Sequence, residues 1–219
     1  CYVDAHGLGG GTAQRLVVPS ARAFPVAESL GADGILFALA ATAHHALAGG
    51  EPPELIVGHG VLGRLLARLT IAAGAPPPVV WDNKACRRDG ARGYEVIAPK
   101  DDTRRDYRTI IDMSGSADVL DTLIGKLGKG GEIVLAGFYA NRLSFAFAPA
   151  FQAEARLRVA AEWGPDDLTS TRAMIESGAL ALDGLVSDVR PATGAEKAYP
   201  AALLDPDCLK MVLDWSECA

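Results

Sequence analysis

Residues 55–63 have the sequence LIVGHGVLG, in which three apolar residues lead directly into the glycine pattern G-x-G-x-x-G. A short, continuous apolar run is typical of a strand that is buried on both faces of a parallel sheet. The apolar residues Leu65, Leu66 and Leu69 follow at helical spacing, so a helix is predicted to begin within the glycine pattern. A glycine pattern placed between a strand and a helix predicts a dinucleotide-binding turn.

The three glycines of this turn have separate predicted roles. Gly58 allows the tight turn, Gly60 lets the backbone approach a pyrophosphate, and Gly63 lets the helix pack closely on the strand. The first N–H groups of the helix, at Val61 and Leu62, are expected to face that anion. An ordinary strand–helix turn is the alternative for a chain with 24 glycines.

Asp82 follows the next predicted strand, Val79–Trp81, about 20 residues beyond the glycine pattern. An acid at this position accepts hydrogen bonds from the adenosine ribose, and its charge repels a 2′-phosphate. The spacing therefore predicts NAD rather than NADP, with a generic loop aspartate as the alternative.

One other class of enzyme uses a similar glycine-rich first turn. S-adenosylmethionine methyltransferases also carry an acid after their second strand, but they usually place another acid just before the first glycine. Here that position is Val57. The sequence therefore favours a dehydrogenase-type site over a methyltransferase.

Strands and helices continue to alternate along the chain, which predicts an α/β fold with a doubly wound parallel sheet, a Rossmann domain. A helix is expected from Ser116 to Lys129, and Arg64 and Arg68 lie off the apolar stripe of their helix and are expected to face water. Residues 15–18 read as a short strand. Further strands are predicted at 95–97, 109–112, 132–136 and 156–160, and a further helix at 167–177.

Composition excludes several functional classes. The chain has 219 residues, 49% of them hydrophobic, and a formal net charge of −6, which argues against nucleic-acid binding. The longest apolar stretch, residues 35–48, contains polar residues and is too short to span a bilayer. Because the first residue is Cys1 rather than methionine, we expect a fragment or a processed chain, and no signal peptide is visible.

The cysteines and histidines form no recognisable metal motif. The four cysteines make no C-x-x-C pair, which favours reduced thiols in a cytoplasmic protein. His59 lies in the glycine turn and is expected to face solvent or phosphate. His44 and His45 lie on an apolar helix, where a histidine is more often a hydrogen-bonded core residue than a catalyst.

The whole chain resembles the medium-chain dehydrogenase/reductase superfamily. The resemblance rests on LVVP at residues 16–19, ATAHHAL at 41–47, the glycine turn, IDMSG at 111–115 and GEIVLAG at 131–137. It implies that residues 1–50 are the last part of a GroES-like catalytic domain with a linking helix. Residues 51–165 would then be the NAD-binding Rossmann domain, and residues 166–219 a return segment to the catalytic domain.

The resemblance also implies a reaction. Residues 56–68, 135–145, 158–163 and 208–215 are similar to a branch whose members oxidise the 3-(1-hydroxyethyl) group of a chlorin to 3-acetyl, with NAD as the hydride acceptor. A tetrapyrrole is therefore the expected substrate. A zinc-free quinone or enoyl reductase, which would prefer NADPH, and a non-catalytic cofactor-binding module are the alternatives.

Further expectations come from the same resemblance. It places Thr42 near the nicotinamide, and His45 is the candidate proton acceptor. Zinc-dependent relatives carry a ligand four residues before that threonine, where this chain has Ala38, so no metal is expected. The strand at 156–160 would pair with its copy in a homodimer. The residues expected to line the cofactor cleft are Ser114, Gly115, Gly137, Phe138 and Tyr139.

Overall fold

The computed structural model describes residues 12–20 and 23–218, which divide into two compact units. The larger unit is Ile35–Leu185, and the smaller one contains the described residues on either side of it. The larger unit extends beyond the predicted Rossmann range 51–165 at both ends, because it includes the helix before that range and the helix after it.

The larger unit is built on a six-stranded sheet in which every pairing is parallel, in the order β3-β2-β1-β4-β5-β6. This is the strand order of the doubly wound Rossmann fold, so the predicted fold class is confirmed. The strands are β1 (Leu55–Val57), β2 (Val79–Trp81), β3 (Glu95–Ile97), β4 (Tyr107–Asp112), β5 (Leu127–Leu135) and β6 (Arg156–Val159).

The register brings the carboxyl ends of the central strands to one edge. Val57, the last residue of β1, lies opposite Trp81 of β2 and Asp112 of β4. The order of strands reverses at β1, because β2 lies on one side of it and β4 on the other. Ligands of open α/β sheets bind in the crevice at such a switch point.

Helices cover the sheet, and the alternation within β1 separates its two faces. Leu55 and Val57 belong to a buried cluster with Leu120 and Leu123, whereas Ile56 lies beside Gly63 on the other face. The helices of this unit are α1 (Phe37–Leu47), α2 (Val61–Ala72), α3 (Leu120–Ile124), α4 (Phe147–Ala153) and α5 (Pro165–Glu176), and α1 packs against both α2 and α5.

The helix predicted from Ser116 to Lys129 is wrong in length. A 3-10 turn precedes α3, which ends at Ile124, and β5 already begins at Leu127. Lys126, which falls within the predicted helix, is buried before β5, and its Nζ donates to the Asp102 carbonyl at 2.5 Å. The apolar spacing was helical by coincidence, because Leu127 packs in the sheet core rather than on the helix.

The structure differs from the sequence predictions at two other places. Residues 15–18 form no strand, and they are exposed. The helix α4 was not predicted, although its Ala150 packs in the core cluster beside α3. Its other large apolar side chains, Phe147 and Phe151, point outward, so the segment lacks the inward-facing apolar stripe from which a helix is predicted.

One helical stretch, Glu28–Leu47, is long and apolar enough by length and composition to cross a membrane, with a mean hydropathy of 1.2. Its first part is a 3-10 segment interrupted at Gly31, and its second part is α1, which packs against two other helices. A packed core helix meets the same two criteria. That the chain has no membrane span stays a prediction.

The smaller unit contains β7 (Asp188–Pro191), α6 (Ala195–Leu204) and β8 (Met211–Asp214). The strands β7 and β8 pair in parallel and are joined through α6, which packs on both of them. The assignment of this unit to the end of a GroES-like domain stays a prediction.

Candidate cofactor site

The glycine turn has the backbone geometry that its sequence requires. Gly58 has φ +99°, which side-chain-bearing residues rarely adopt, and its N–H donates to the Trp81 carbonyl at 2.8 Å. A Cβ at Gly63 would overlap the carbonyl oxygen of Gly58 and lie 2.9 Å from its carbonyl carbon. The turn and the close packing of α2 on β1 therefore depend on these two glycines, as predicted.

Gly60 serves a different purpose. It lies just before α2, and the nearest atom to an added Cβ would be Arg87 Nη1, 3.9 Å away. The space above Gly60 is thus open, and a side chain there would take up room rather than strain the fold. This is the geometry expected where a pyrophosphate approaches the backbone ahead of the free N–H groups of Val61 and Leu62.

A cleft of about 600 Å³ opens at this edge of the sheet. It combines the glycine turn, the end of β2 and the loop after β4, so three segments distant in sequence meet there. Its volume lies within the range of sites for small organic ligands. The lining residues are Val57, Gly58, Gly60, Trp81, Asp82, Asn83, Lys84, Arg87, Pro99, Met113, Ser114, Ser116, Asp118, Val119 and Thr122.

Asp82 lies in this cleft, where the sequence places the ribose-binding acid. One carboxylate oxygen accepts from the His59 backbone N–H at 2.9 Å, and the other accepts from the Lys84 N–H at 2.8 Å. These bonds fix the carboxylate beside the glycine turn. Each oxygen has a second lone-pair site, so hydroxyl groups of a ligand can still donate to Asp82.

His59 does not face solvent or phosphate, and that prediction is wrong. Its side chain is fully buried. The ring Nδ1 lies 2.6 Å from the Arg87 carbonyl oxygen, and Nε2 lies 2.8 Å from the Tyr94 hydroxyl. Burial lowers the pKa of His59 to about 4, although the hydrogen bond to the Arg87 carbonyl acts in the opposite direction. The imidazole is therefore neutral at pH 7.

Arg64 and Arg68 do not face water, so that prediction is also wrong. Their exposed fractions are only 6% and 7%, and burial lowers the pKa of both guanidinium groups. Arg64 donates to four backbone carbonyls, at His59, Arg87, Asp89 and Gly90. Arg68 donates to the carbonyls of Ala181 and Asp183. An apolar stripe shows which residues could be buried, but not which loops supply acceptors to a charged one.

The residues expected to line the cleft after β4 and β5 divide into two groups. Ser114 lines it, but Gly115, Gly137, Phe138 and Tyr139 are absent from its lining. The two glycines let these loops touch, because a Cβ on Gly137 would lie 2.6 Å from the Gly115 nitrogen. Phe138 is 95% exposed. That these residues bind the cofactor stays a prediction.

Asp112, a fully buried acid at the end of β4, was not among the predicted site residues. Its carboxylate accepts from the Ser114 N–H and from the Tyr139 hydroxyl, both at 2.8 Å. Burial raises the pKa of Asp112, and these two hydrogen bonds act against the increase. Asp112 therefore ties the loops after β4 and β5 together beside the cleft. An acid that ends an otherwise apolar strand is the signal that could have identified it.

Thr42 and His45 lie on α1, and neither lines the cleft. The Thr42 hydroxyl donates to the Ala38 carbonyl within the helix at 2.8 Å. His44 and His45 each place Nδ1 at 2.8 Å from an oxygen of Asp167. Burial raises the pKa of Asp167, but the hydrogen bonds to its carboxylate lower the pKa by more, so the pKa lies below its ordinary value. These contacts join α1 to α5. The catalytic roles of Thr42 and His45 stay predictions.

Among residues 12–20 and 23–218, no group of three or more histidine, cysteine or acidic side chains is arranged to hold a metal ion. Cys1 and His6 lie outside the described residues. The prediction of a metal-free site is therefore left as a prediction.

Two curated relatives match nearly the whole chain. The 2-desacetyl-2-hydroxyethyl bacteriochlorophyllide A dehydrogenase of Rhodobacter capsulatus is 59% identical over 220 residues, which cover 99% of this chain and 70% of the relative. The protein of the same name from Cereibacter sphaeroides is 60% identical over 212 residues, which cover 96% of this chain and 67% of the relative. No protein-family model matches the chain.

Solved structures show the same fold at low sequence identity. A short chain alcohol dehydrogenase from Escherichia coli CFT073, complexed with NADH, has a TM-score of 0.78 at 17% identity, over 90% of this chain and 64% of that one. A Sinorhizobium meliloti 1021 protein described as a zinc-binding dehydrogenase, bound to NADP, has a TM-score of 0.74 at 20% identity, over 93% of this chain and 64% of that one.

The fold, the glycine turn and the similarity to these relatives all indicate the same family. Identity near 60% over almost the full chain far exceeds what a shared fold alone produces, and the aligned part is at least two thirds of each relative. The chain belongs to the medium-chain dehydrogenase/reductase superfamily and, within it, to the family of the 2-desacetyl-2-hydroxyethyl bacteriochlorophyllide A dehydrogenases.

Proposed function

We propose that the protein oxidises the hydroxyethyl side chain of a bacteriochlorophyllide precursor to an acetyl side chain, with NAD as the oxidant, in bacteriochlorophyll a biosynthesis. The observation that carries this proposal is the identity of about 60% with two dehydrogenases named for that substrate. Oxidation removes one hydride from the carbinol carbon and one proton from the hydroxyl group, which leaves the ketone of the acetyl group.

The residues of the cleft fit an NAD molecule. The open space above Gly60 and the start of α2 suit a pyrophosphate, Asp82 suits the adenosine ribose, and Ser114 on the loop after β4 also lines the cleft. When bound, NAD supplies the hydride acceptor for the alcohol oxidation. This chain binds and orients that cofactor, and a side chain of the protein receives the hydroxyl proton.

The proposed function is tested with the full-length protein and a hydroxyethyl bacteriochlorophyllide that carries deuterium on the carbinol carbon. We expect the acetyl product to form together with NADH that contains the deuterium. Incubations without NAD are the control. Failure to form the acetyl product with either NAD or NADP would contradict the proposal.

The choice of cofactor depends on Asp82. We expect NAD(H) to bind more tightly than NADP(H). Asp82→Ala should reduce the ratio of the two dissociation constants about tenfold or more, since a hydrogen bond to a charged group contributes roughly 1.5–3 kcal/mol. Asp82→Asn is the intermediate variant, because it removes the charge and keeps one of the two oxygens that accept from the His59 and Lys84 N–H groups. Equal binding of both cofactors by the unmodified protein, measured by fluorescence titration, would rule out this assignment.

A second expectation concerns metal. Ala38 cannot bind zinc at the position where zinc-dependent relatives carry a ligand. We therefore propose a zinc-free reaction and expect the alcohol-oxidising activity of the full-length protein to survive exhaustive treatment with a chelator. Elemental analysis provides the second measurement. Stoichiometric zinc whose removal abolishes activity, and whose return restores it, would show that the proposal is wrong.

A third expectation concerns assembly through β6, the last strand of the sheet order. Leu157 and Val159 on this strand are 40% and 75% exposed, and an exposed strand edge invites pairing with a second copy. We propose a homodimer in which two β6 edges pair about a two-fold axis. Sedimentation of the full-length protein at tens of micromolar should show at least a dimer, and Val159→Lys should weaken it. A monomer under these conditions would count against this arrangement.

A further inference from the structure

His59 connects two parts of the cleft that the glycine pattern alone does not connect. Its backbone N–H donates to Asp82 Oδ2 at 2.9 Å, and its buried ring contacts the Arg87 carbonyl oxygen and the Tyr94 hydroxyl. One residue of the glycine turn therefore contacts the ribose-binding acid through its backbone and the segment after β2 through its side chain.

The hydrogen-bond partners determine where the His59 proton lies. A carbonyl oxygen can only accept, so Nδ1 carries the hydrogen and donates to Arg87. The unprotonated Nε2 then accepts from the Tyr94 hydroxyl. The buried ring is neutral at pH 7, and both of its nitrogens have a partner of the correct kind.

The Arg87 carbonyl is held from two directions. Arg64 Nη2 donates to the same oxygen at 3.2 Å, from the first turns of α2. The Arg87 side chain lines the cleft, and its Nη1 lies 3.9 Å from the position that a Cβ would occupy on Gly60. The hydrogen bond from the His59 ring thus anchors the backbone of Arg87, whose guanidinium lies over the point where the cofactor pyrophosphate is expected.

We infer that His59 is a positioning residue for the cofactor: by holding the Arg87 backbone, it sets the place of the Arg87 guanidinium against the phosphate and adenosine end of the dinucleotide. This inference rests on the proposed function, because it requires a dinucleotide in the cleft. His59 itself need not touch the cofactor, since its ring points behind the glycine turn into the protein.

Three variants separate the ring contacts. His59→Leu removes both of them, whereas His59→Asn keeps a donor near the position of Nδ1. Tyr94→Phe removes the hydroxyl that stabilises the Nδ1–H tautomer. Thr70→Val is the matched control, because the Thr70 side chain is buried like that of His59, but its hydroxyl donates only to the Leu66 carbonyl within α2.

The readouts are the dissociation constants of NADH and of ADP-ribose, which carries the adenosine and both phosphates but no nicotinamide. We expect His59→Leu to weaken both about tenfold and Tyr94→Phe to weaken both about threefold, as the loss of one or two hydrogen bonds predicts. His59→Asn and Thr70→Val should bind within about twofold of the unmodified protein. In turnover assays His59→Leu should raise KM for NAD and leave kcat nearly unchanged.

A double-mutant cycle shows whether His59 acts through Arg87. Arg87→Met should weaken both ligands, and adding His59→Leu or Tyr94→Phe to it should have no further effect. Additive losses, or unchanged dissociation constants in His59→Leu, would overturn the inference. If His59→Leu does not fold, Tyr94→Phe alone and combined with Arg87→Met decides the matter. Failure of the unmodified protein to bind NADH would instead overturn the proposed function.

Discussion

Gly63→Ala should unfold at a markedly lower temperature than the unmodified protein and should not bind NADH. The added Cβ would overlap the Gly58 carbonyl oxygen, which is rigid backbone rather than the end of a flexible side chain. Either α2 moves away from β1 or the turn at Gly58 opens. In both cases the N–H groups at the start of α2 are displaced from the cofactor site. Forcing extra volume into a packed site costs on the order of 3 kcal/mol.

Two further glycines make this experiment specific. Gly60→Ala meets nothing closer than 3.9 Å, so it should keep its stability and lose NADH affinity, because the methyl group enters the space of the cofactor. Gly194→Ala, in open space before α6, should change neither property. Urea unfolding and fluorescence titration measure the two effects. Equal stability of the variants at Gly63 and Gly194 would contradict the packing argument.

The second large effect is a loss of stability in mild acid that depends on His59. The folded protein holds the pKa of His59 at about 4, whereas the ordinary value is 6.5. Because the unfolded chain binds the proton more readily, the stabilisation is complete above about pH 6.5, declines as the pH falls, and is lost at about pH 4. A shift of this size corresponds to about 3 kcal/mol.

The measurement is the free energy of unfolding in urea at several pH values between 4 and 7. His59→Leu should lose the part of the pH dependence that arises from this ring, while Thr70→Val should keep it. Comparing slopes rather than absolute stabilities cancels the constant effect of the lost hydrogen bonds. The same slope in His59→Leu and in the unmodified protein would show that His59 does not titrate in this range.

Sequence patterns predicted the sheet well and the polar contacts around it poorly. The strands at 55–57, 79–81 and 95–97 have the predicted bounds, because short apolar runs between glycine and proline signals leave few alternatives. The roles of Gly58 and Gly63 are likewise local properties of one turn. The helix predicted over 116–129 was wrong, because Leu127 continues a helical spacing but packs in the sheet.

The burial of Arg64, Arg68 and His59 could not be predicted in the same way. Each is polar, and each is buried only because a distant loop offers carbonyl or hydroxyl partners to it. Hydrophobic periodicity indicates which side chains can be buried without hydrogen-bond partners. It contains no information about the acceptors that another segment supplies to a buried polar side chain. The contact of His44 and His45 with Asp167, more than 100 residues away, has the same origin.

The segment between β2 and β3 contains one 3-10 turn, Ala85–Arg87, and is held chiefly by donors from α2 and the glycine turn. These donors bond to main-chain carbonyls, so these hydrogen bonds do not require particular side chains at the accepting residues. The backbone path of this segment is therefore fixed in part by residues that lie outside it. For protein engineering, we expect substitutions at Asn83, Lys84 and Arg87, which line the cleft, to change cofactor selectivity while the backbone of the loop keeps its path.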